Sequence, residues 1–127
     1  MDAVAGLYSV LLYVHDLGAS LGFYRDRLGL RQLGPADDSV AMLDAGKCMI
    51  VLHRTDGRGR STATDTFQVG GHAVTFQVDD PDAWAVRLRS GGVPVVQGPM
   101  DQVWGRVVFV TDPDGRTVAL ARPTRVS

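Results

Sequence analysis

AVTFQVDDPDAWAVRLRSGG, residues 73–92, is the stretch whose reading decides the fold. Val74, Phe76 and Val78 alternate with Ala73, Thr75 and Gln77, the period of a strand with one buried face. Asp80 follows just before Pro81, where a short side-chain oxygen can accept from the orphan amides of a first helical turn and proline suits the first helical position. Trp84 and Leu88 then share a helical face, and Gly91 and Gly92 close the helix as left-handed C-caps prefer. Working outward, VPVVQG (93–98), RVVFVTD (106–112) and TVALAR (117–122) read as three more strands. Asp112-Pro113-Asp114-Gly115 is the hairpin corner between the last two. Pro fixes φ at the first corner position, Asp caps locally and Gly takes the positive φ.

The first half of the chain spells the same order. SVLLYVHD (9–16) alternates as a strand, ASLGFYRDRLG (19–29) carries Leu21, Tyr24 and Leu28 at helical spacing, and RQLG (31–34), VAML (40–43) and CMIVLH (48–53) follow as strands. Asp16 stands where Asp80 stands, an offset of 80 − 16 = 64 residues, too long for a solenoid repeat and suited to one duplicated βαβββ unit. The expected class is α+β, one domain over 1–127, with module one at about 5–53, a linker at about 54–67 and module two at about 68–123. The linker sequence RTDGRGRSTATDT is rich in Gly, Ser, Thr and charge, as surface connections are.

Composition excludes several classes of function. With 127 residues and a formal net charge of −1, and no basic cluster except Arg58 and Arg60 in the linker, the chain lacks the electrostatic footprint of a nucleic-acid partner. No run approaches the ~20 apolar residues of a membrane span, and MDAVAGLYSV has no secretory signal pattern, so a cytoplasmic protein without a membrane partner is expected. Cys48 is the single cysteine; no disulfide framework exists, and its place in a strand suits a small packed residue.

Three stretches carry a family resemblance. HDLGASLGFYRDRLGL, FQVDDPDAWAVRLRSGGV and VWGRVVFVTDPDGRTVAL resemble the helix-start, second-module and closing signatures of the vicinal oxygen chelate superfamily, which includes glyoxalase I, extradiol dioxygenases, fosfomycin resistance enzymes and bleomycin resistance proteins. The resemblance spans nearly the whole chain. It implies two tandem βαβββ modules forming curled mixed sheets around a cup, completed in a homodimer.

In the metalloenzymes of that superfamily, one ligand precedes each helix-start Asp by seven residues, and another follows the glycine of each closing turn by four. Carried onto this chain, the slots are Ser9, Ile50, Ala73 and Ala119. None is a competent donor, since zinc, iron or manganese sites need converging imidazole, carboxylate or thiolate groups. All fourteen acidic residues are Asp, so the usual glutamate is not displaced to a neighbouring position either. No metal or other cofactor is expected. A shift of one residue would bring His72 into the slot of Ala73, but would turn Thr75 and Gln77 under the helix without partners. His53 ends its strand on the helix-facing parity. His15 shares the cup parity beside Asp16, where a general-base role is open.

By parity the cup collects Ser9, Leu11, Tyr13, Val40, Met42, Cys48, Ile50 and Leu52 from module one. Module two adds Ala73, Thr75, Gln77, Val107, Phe109, Thr117 and Ala119. This mostly apolar lining with a few neutral hydrogen-bonding groups is ordinary for a small-molecule site. Trp104, beside Gly105, is placed by the resemblance at the mouth, where drug-binding relatives stack planar ligands; packing against another subunit is the alternative. Two functions remain open. One is a metal-free protein that sequesters an apolar, aromatic natural product, as antibiotic resistance members of the superfamily do. The other is a glyoxalase- or dioxygenase-like enzyme with a displaced site on His72 or His15.

Overall fold

The computed structural model describes residues 3, 5–56 and 72–124. The chain forms two compact units, Met1–Arg58 and Gly59–Ser127. Beyond Asp56, the linker expected over 54–67 lies outside the described residues.

The first unit runs β1 (Ser9–Val14), α1 (Leu17–Leu21) with a π-helical continuation over Gly22–Arg27, β2 (Arg31–Gln32), β3 (Val40–Asp44) and β4 (Met49–Arg54). The second runs β5 (Val74–Gln77), α2 (Pro81–Ser90), β6 (Val95–Gln102), β7 (Gly105–Thr111) and β8 (Thr117–Pro123). Their sheets are ordered β1-β4-β3-β2 and β5-β8-β7-β6, each with one parallel pair, β1 with β4 and β5 with β8. The two units share one topology, the α+β duplication expected from the sequence.

Helix boundaries follow the predicted caps. Asp16 accepts from the Ala19 amide at 3.0 Å and Asp80 from the Ala83 amide at 3.1 Å, each satisfying a first-turn N–H. Gly29 and Gly92 lie beyond the helix ends at φ +83° and +85°. The closing corner also forms as read: the Asp112 carboxylate accepts from the Asp114 amide at 3.0 Å, the Arg116 amide at 2.8 Å and the Arg116 guanidinium at 2.6 Å.

The first helix departs from a regular 3.6-residue period. The Leu28 amide donates to the Phe23 carbonyl at 2.9 Å, an i to i+5 bond, and such π turns widen the helix. As a result Phe23 and Tyr24, adjacent in sequence, are both buried and meet edge to face with centroids 4.8 Å apart, while Leu21 and Leu28 are only half-buried. Core packing in this unit lies between α1 with its π turn and one sheet face made of Val10, Leu12, Val14, Ala41, Leu43, Ile50 and Leu52. In the second unit Pro81, Ala85 and Leu88 of α2 are buried, and the helix packs on β6, β7 and β8. Truncating a fully buried leucine such as Leu88 to alanine would cost about 2–5 kcal/mol.

Candidate functional site

Residues directly opposite in a ladder share a sheet face, so the pairing identifies which side chains the first unit leaves uncovered. Three cross-strand rows run over the face opposite α1: Ser9–Met49–Asp44, Leu11–Val51–Met42 and Tyr13–His53–Val40. Leu11, Tyr13 and Met42 are 46%, 57% and 40% exposed. The remaining members of the rows are half-buried.

This pairing corrects the expected lining in β4. Ile50 lies opposite Val10 and Leu43, and Leu52 opposite Leu12 and Ala41. Both therefore belong to the face covered by α1, and Ile50 is 1% exposed. Cys48 lies outside β4, in the turn closed by the Ala45 amide on its carbonyl at 3.0 Å. Met49, Val51 and His53 occupy the open face instead. In the second unit Ala119 lies opposite Thr75, and the matching pair in the first unit is Leu11 with Val51. The fourth slot is thus Val51 rather than Ile50. The physical reason is the corner: four residues, 45–48, join Asp44 to Met49, whereas five, 112–116, join Thr111 to Thr117. One residue more or less in a hairpin loop inverts the face of everything that follows.

With the slot corrected, the four positions hold a serine hydroxyl, a valine and two alanines. The residues present do not fit a resident divalent metal, because oxygen, nitrogen or thiolate donors from three or four side chains are required. Among the described residues no three His, Cys, Asp or Glu side chains come together as a metal site.

In the second unit the corresponding rows are Thr75–Ala119–Phe109–Gln97 and Gln77–Ala121–Val107–Met100. Thr75 and Gln77 are exposed. Phe109, Ala119, Val107 and Ala121 lie on the expected face but are buried in one apolar cluster, with Met100 packed against it, and Thr117 is buried too. Trp104 sits with Val103 at the two-residue tip of the β6–β7 hairpin and is 50% exposed; its carbonyl accepts from the Thr124 amide at 3.0 Å. Ala73 is half-buried and His72 exposed, both ahead of β5, and His15 is exposed just past β1.

His53 is the residue that the sequence placed on the wrong side. It stands opposite Tyr13, with ring centroids 5.8 Å apart and planes tilted by 58°. Its Nδ1 lies 2.9 Å from the Arg54 carbonyl oxygen. The only sequence signal for this was the length of the turn before β4.

A second feature had no sequence signal. At one end of the second sheet, an open cleft of about 740 Å³ is lined by Gln77, Val78, Asp101, Arg106, Arg122 and Thr124, among others. Arg106 spans its wall with a bidentate pair to Asp82, at 2.7 and 2.9 Å, and a third bond to Asp101 at 3.0 Å. These bonds hold the Asp82 carboxyl below the usual carboxylate range and raise Arg106 further. Its guanidinium is thereby committed within the protein.

Residues 6–120 match the family model described as the glyoxalase/bleomycin resistance protein/dioxygenase superfamily. A probable lactoylglutathione lyase from Synechocystis sp. is 32% identical over 126 residues, covering 90% of this chain and 92% of that protein. Among solved structures, the antibiotic-binding protein TnmS3 from Streptomyces sp. superimposes with a TM-score of 0.75 at 22% identity, covering 98% of this chain and 100% of that one. A lactoylglutathione lyase from Agrobacterium tumefaciens gives 0.71 at 23% identity, covering 95% and 96%. The duplicated βαβββ topology and the match over residues 6–120 agree: the chain belongs to the glyoxalase/bleomycin resistance protein/dioxygenase superfamily.

Proposed function

We propose that the protein binds a planar, largely apolar natural product without metal and sequesters it rather than converting it. The observation that carries this reading is the open face of the first sheet. It presents Leu11, Tyr13 and Met42 to solvent beside Val51, where a metalloenzyme of this superfamily would need a donor. Exposed apolar and aromatic side chains grouped on a rigid sheet favour a flat apolar ligand. On this face we assign Ser9, Leu11, Tyr13, Val40 and Met42 as ligand contacts; on the second unit, taken by itself, the candidates are the exposed Thr75, Gln77 and Trp104. An antibiotic-binding relative with the same fold supports the class of ligand. The protein acts in the cytoplasm as a homodimer on this reading, since the same exposed side chains favour burial in an assembly. Among the described residues no helix is long and apolar enough to cross a membrane.

A specific observation favours a second reading, that of an enzyme. The Synechocystis relative is named as a probable lactoylglutathione lyase. That activity would here require a displaced site on His72 or His15. Titrating chelator-treated protein with a panel of aromatic antibiotics, followed by tryptophan fluorescence, separates the two. Saturable binding with the compound recovered unchanged supports sequestration; formation or cleavage of lactoylglutathione by the purified protein would favour the enzyme.

A further inference from the structure

His53 carries a polar group whose hydrogen-bonding sense is fixed by its neighbour. A carbonyl oxygen can only accept, so the 2.9 Å contact between Nδ1 and the Arg54 carbonyl requires the proton to be on Nδ1. In the neutral ring Nε2 is then left as an acceptor only. No hydrogen bond from Nε2 to a described residue is present, and His53 sits in the central strand of the open face, between Tyr13 and Val40.

The charged groups around it are engaged. Asp37 accepts from the Ser39 and Val40 amides, both at 2.7 Å, and Arg54 pairs with Asp56 at 2.9 Å. Neither a committed cation nor a bare carboxylate among these groups invites an ion, and the oriented acceptor favours a neutral donor.

We propose that Nε2 of His53 is the polar anchor of this face, and that the ligand it takes is a planar hydroxyaromatic compound donating a ring hydroxyl to it while its rings lie over Tyr13, Leu11 and Met42. A carbonyl or ether at that position would set lone pair against lone pair and leave Nε2 desolvated without a partner. This inference rests on the small-molecule reading of the same face and adds the chemical class of the ligand.

The test compares 2-naphthol with 2-methoxynaphthalene, which differ at the hydroxyl, on the full chain by calorimetric titration. Wild type binds 2-naphthol about fivefold to tenfold more tightly, and His53→Phe binds both compounds equally while keeping the melting temperature. A long-range proton–nitrogen correlation spectrum of the labelled wild-type protein shows the His53 proton on Nδ1 and a displaced Nε2 signal on adding 2-naphthol. That spectrum and the wild-type ratio decide even if the variant does not fold. Equal binding of both probes by wild type, a preference that survives in His53→Phe, or a proton resting on Nε2 overturns the proposal and leaves the binding reading intact. Failure of both probes to bind overturns both.

Discussion

Val51 lies directly opposite Leu11 in the parallel ladder of β1 and β4, as Ala119 lies opposite Thr75 in that of β5 and β8. Two modules that share a topology therefore both present a non-ligating side chain at the strand position where a metalloenzyme of this superfamily carries a carboxylate. The account of function rests on that register, and the register is directly testable.

Val51→Glu and Ile50→Glu place the same carboxylate on adjacent residues with opposite consequences. Val51→Glu sets the charge on the open face and leaves the melting temperature within a few degrees of wild type. Ile50→Glu forces a carboxylate into the core beneath α1 and costs more than about 3 kcal/mol. Chemical denaturation measures both, and equal destabilisation would mean that β4 is paired one residue out.

Ser20 is fully buried in α1, and its Oγ has no hydrogen-bond partner among the described residues. Removing an unsatisfied buried hydroxyl, at a site where alanine is also the better helix former, stabilises the protein. Ser20→Ala is expected to raise the unfolding free energy by about 1 kcal/mol. A loss of stability on denaturant titration would point to a partner for the hydroxyl.

Trp104 stands half exposed at a hairpin tip, so little of the fold depends on it. Trp104→Ala is expected to leave the denaturation midpoint unchanged and to weaken binding of an aromatic ligand about tenfold, from lost stacking and apolar burial. Unchanged affinity would move the ligand away from this hairpin.

Acid should unfold the protein from a definite set of carboxylates. Backbone amides of Ser39 and Val40 hold Asp37 low, the Gly46 amide and then Arg31 hold Asp44 low, and Arg106 holds Asp82 low. Because these folded-state values are depressed, their contribution is present above the ordinary aspartate value of about 3.9 and is lost as pH falls through the folded values. Stability is thus expected to fall away below about pH 4. Arg106→Gln starts from lower stability and loses less over the same acid range, because Asp82 then has less to give up; a steeper acid limb in the variant would contradict this.

Much of the fold was legible because its punctuation is local. Asp16, Asp80, Gly29, Gly92 and the Asp112–Gly115 corner each act through bonds spanning a few residues, so their roles can be read without knowing the tertiary structure. The face of β4 was not legible in the same way. Carrying Gly115 onto Gly46 assumes that both glycines stand equally far from the strand that follows, but Met49 begins three residues after Gly46 and Thr117 two after Gly115, which moved His53 onto the open face and Ile50 and Leu52 off it. The π turn was also hidden, since a 3.6-residue period selects Leu21, Tyr24 and Leu28, whereas the i to i+5 bond buries Phe23 and Tyr24 together. Parity places Phe109 and Ala119 on the expected face, but says nothing about whether that face is open, and in the structure both are buried.

Native mass spectrometry of chelator-treated protein with a panel of planar aromatic antibiotics tests metal-free sequestration most directly, since one spectrum reports metal, ligand and ligand mass together. The account predicts a complex that carries no metal and holds the compound at its unaltered mass. Binding only after zinc, nickel, manganese or iron is restored, or a bound compound of changed mass, would contradict it.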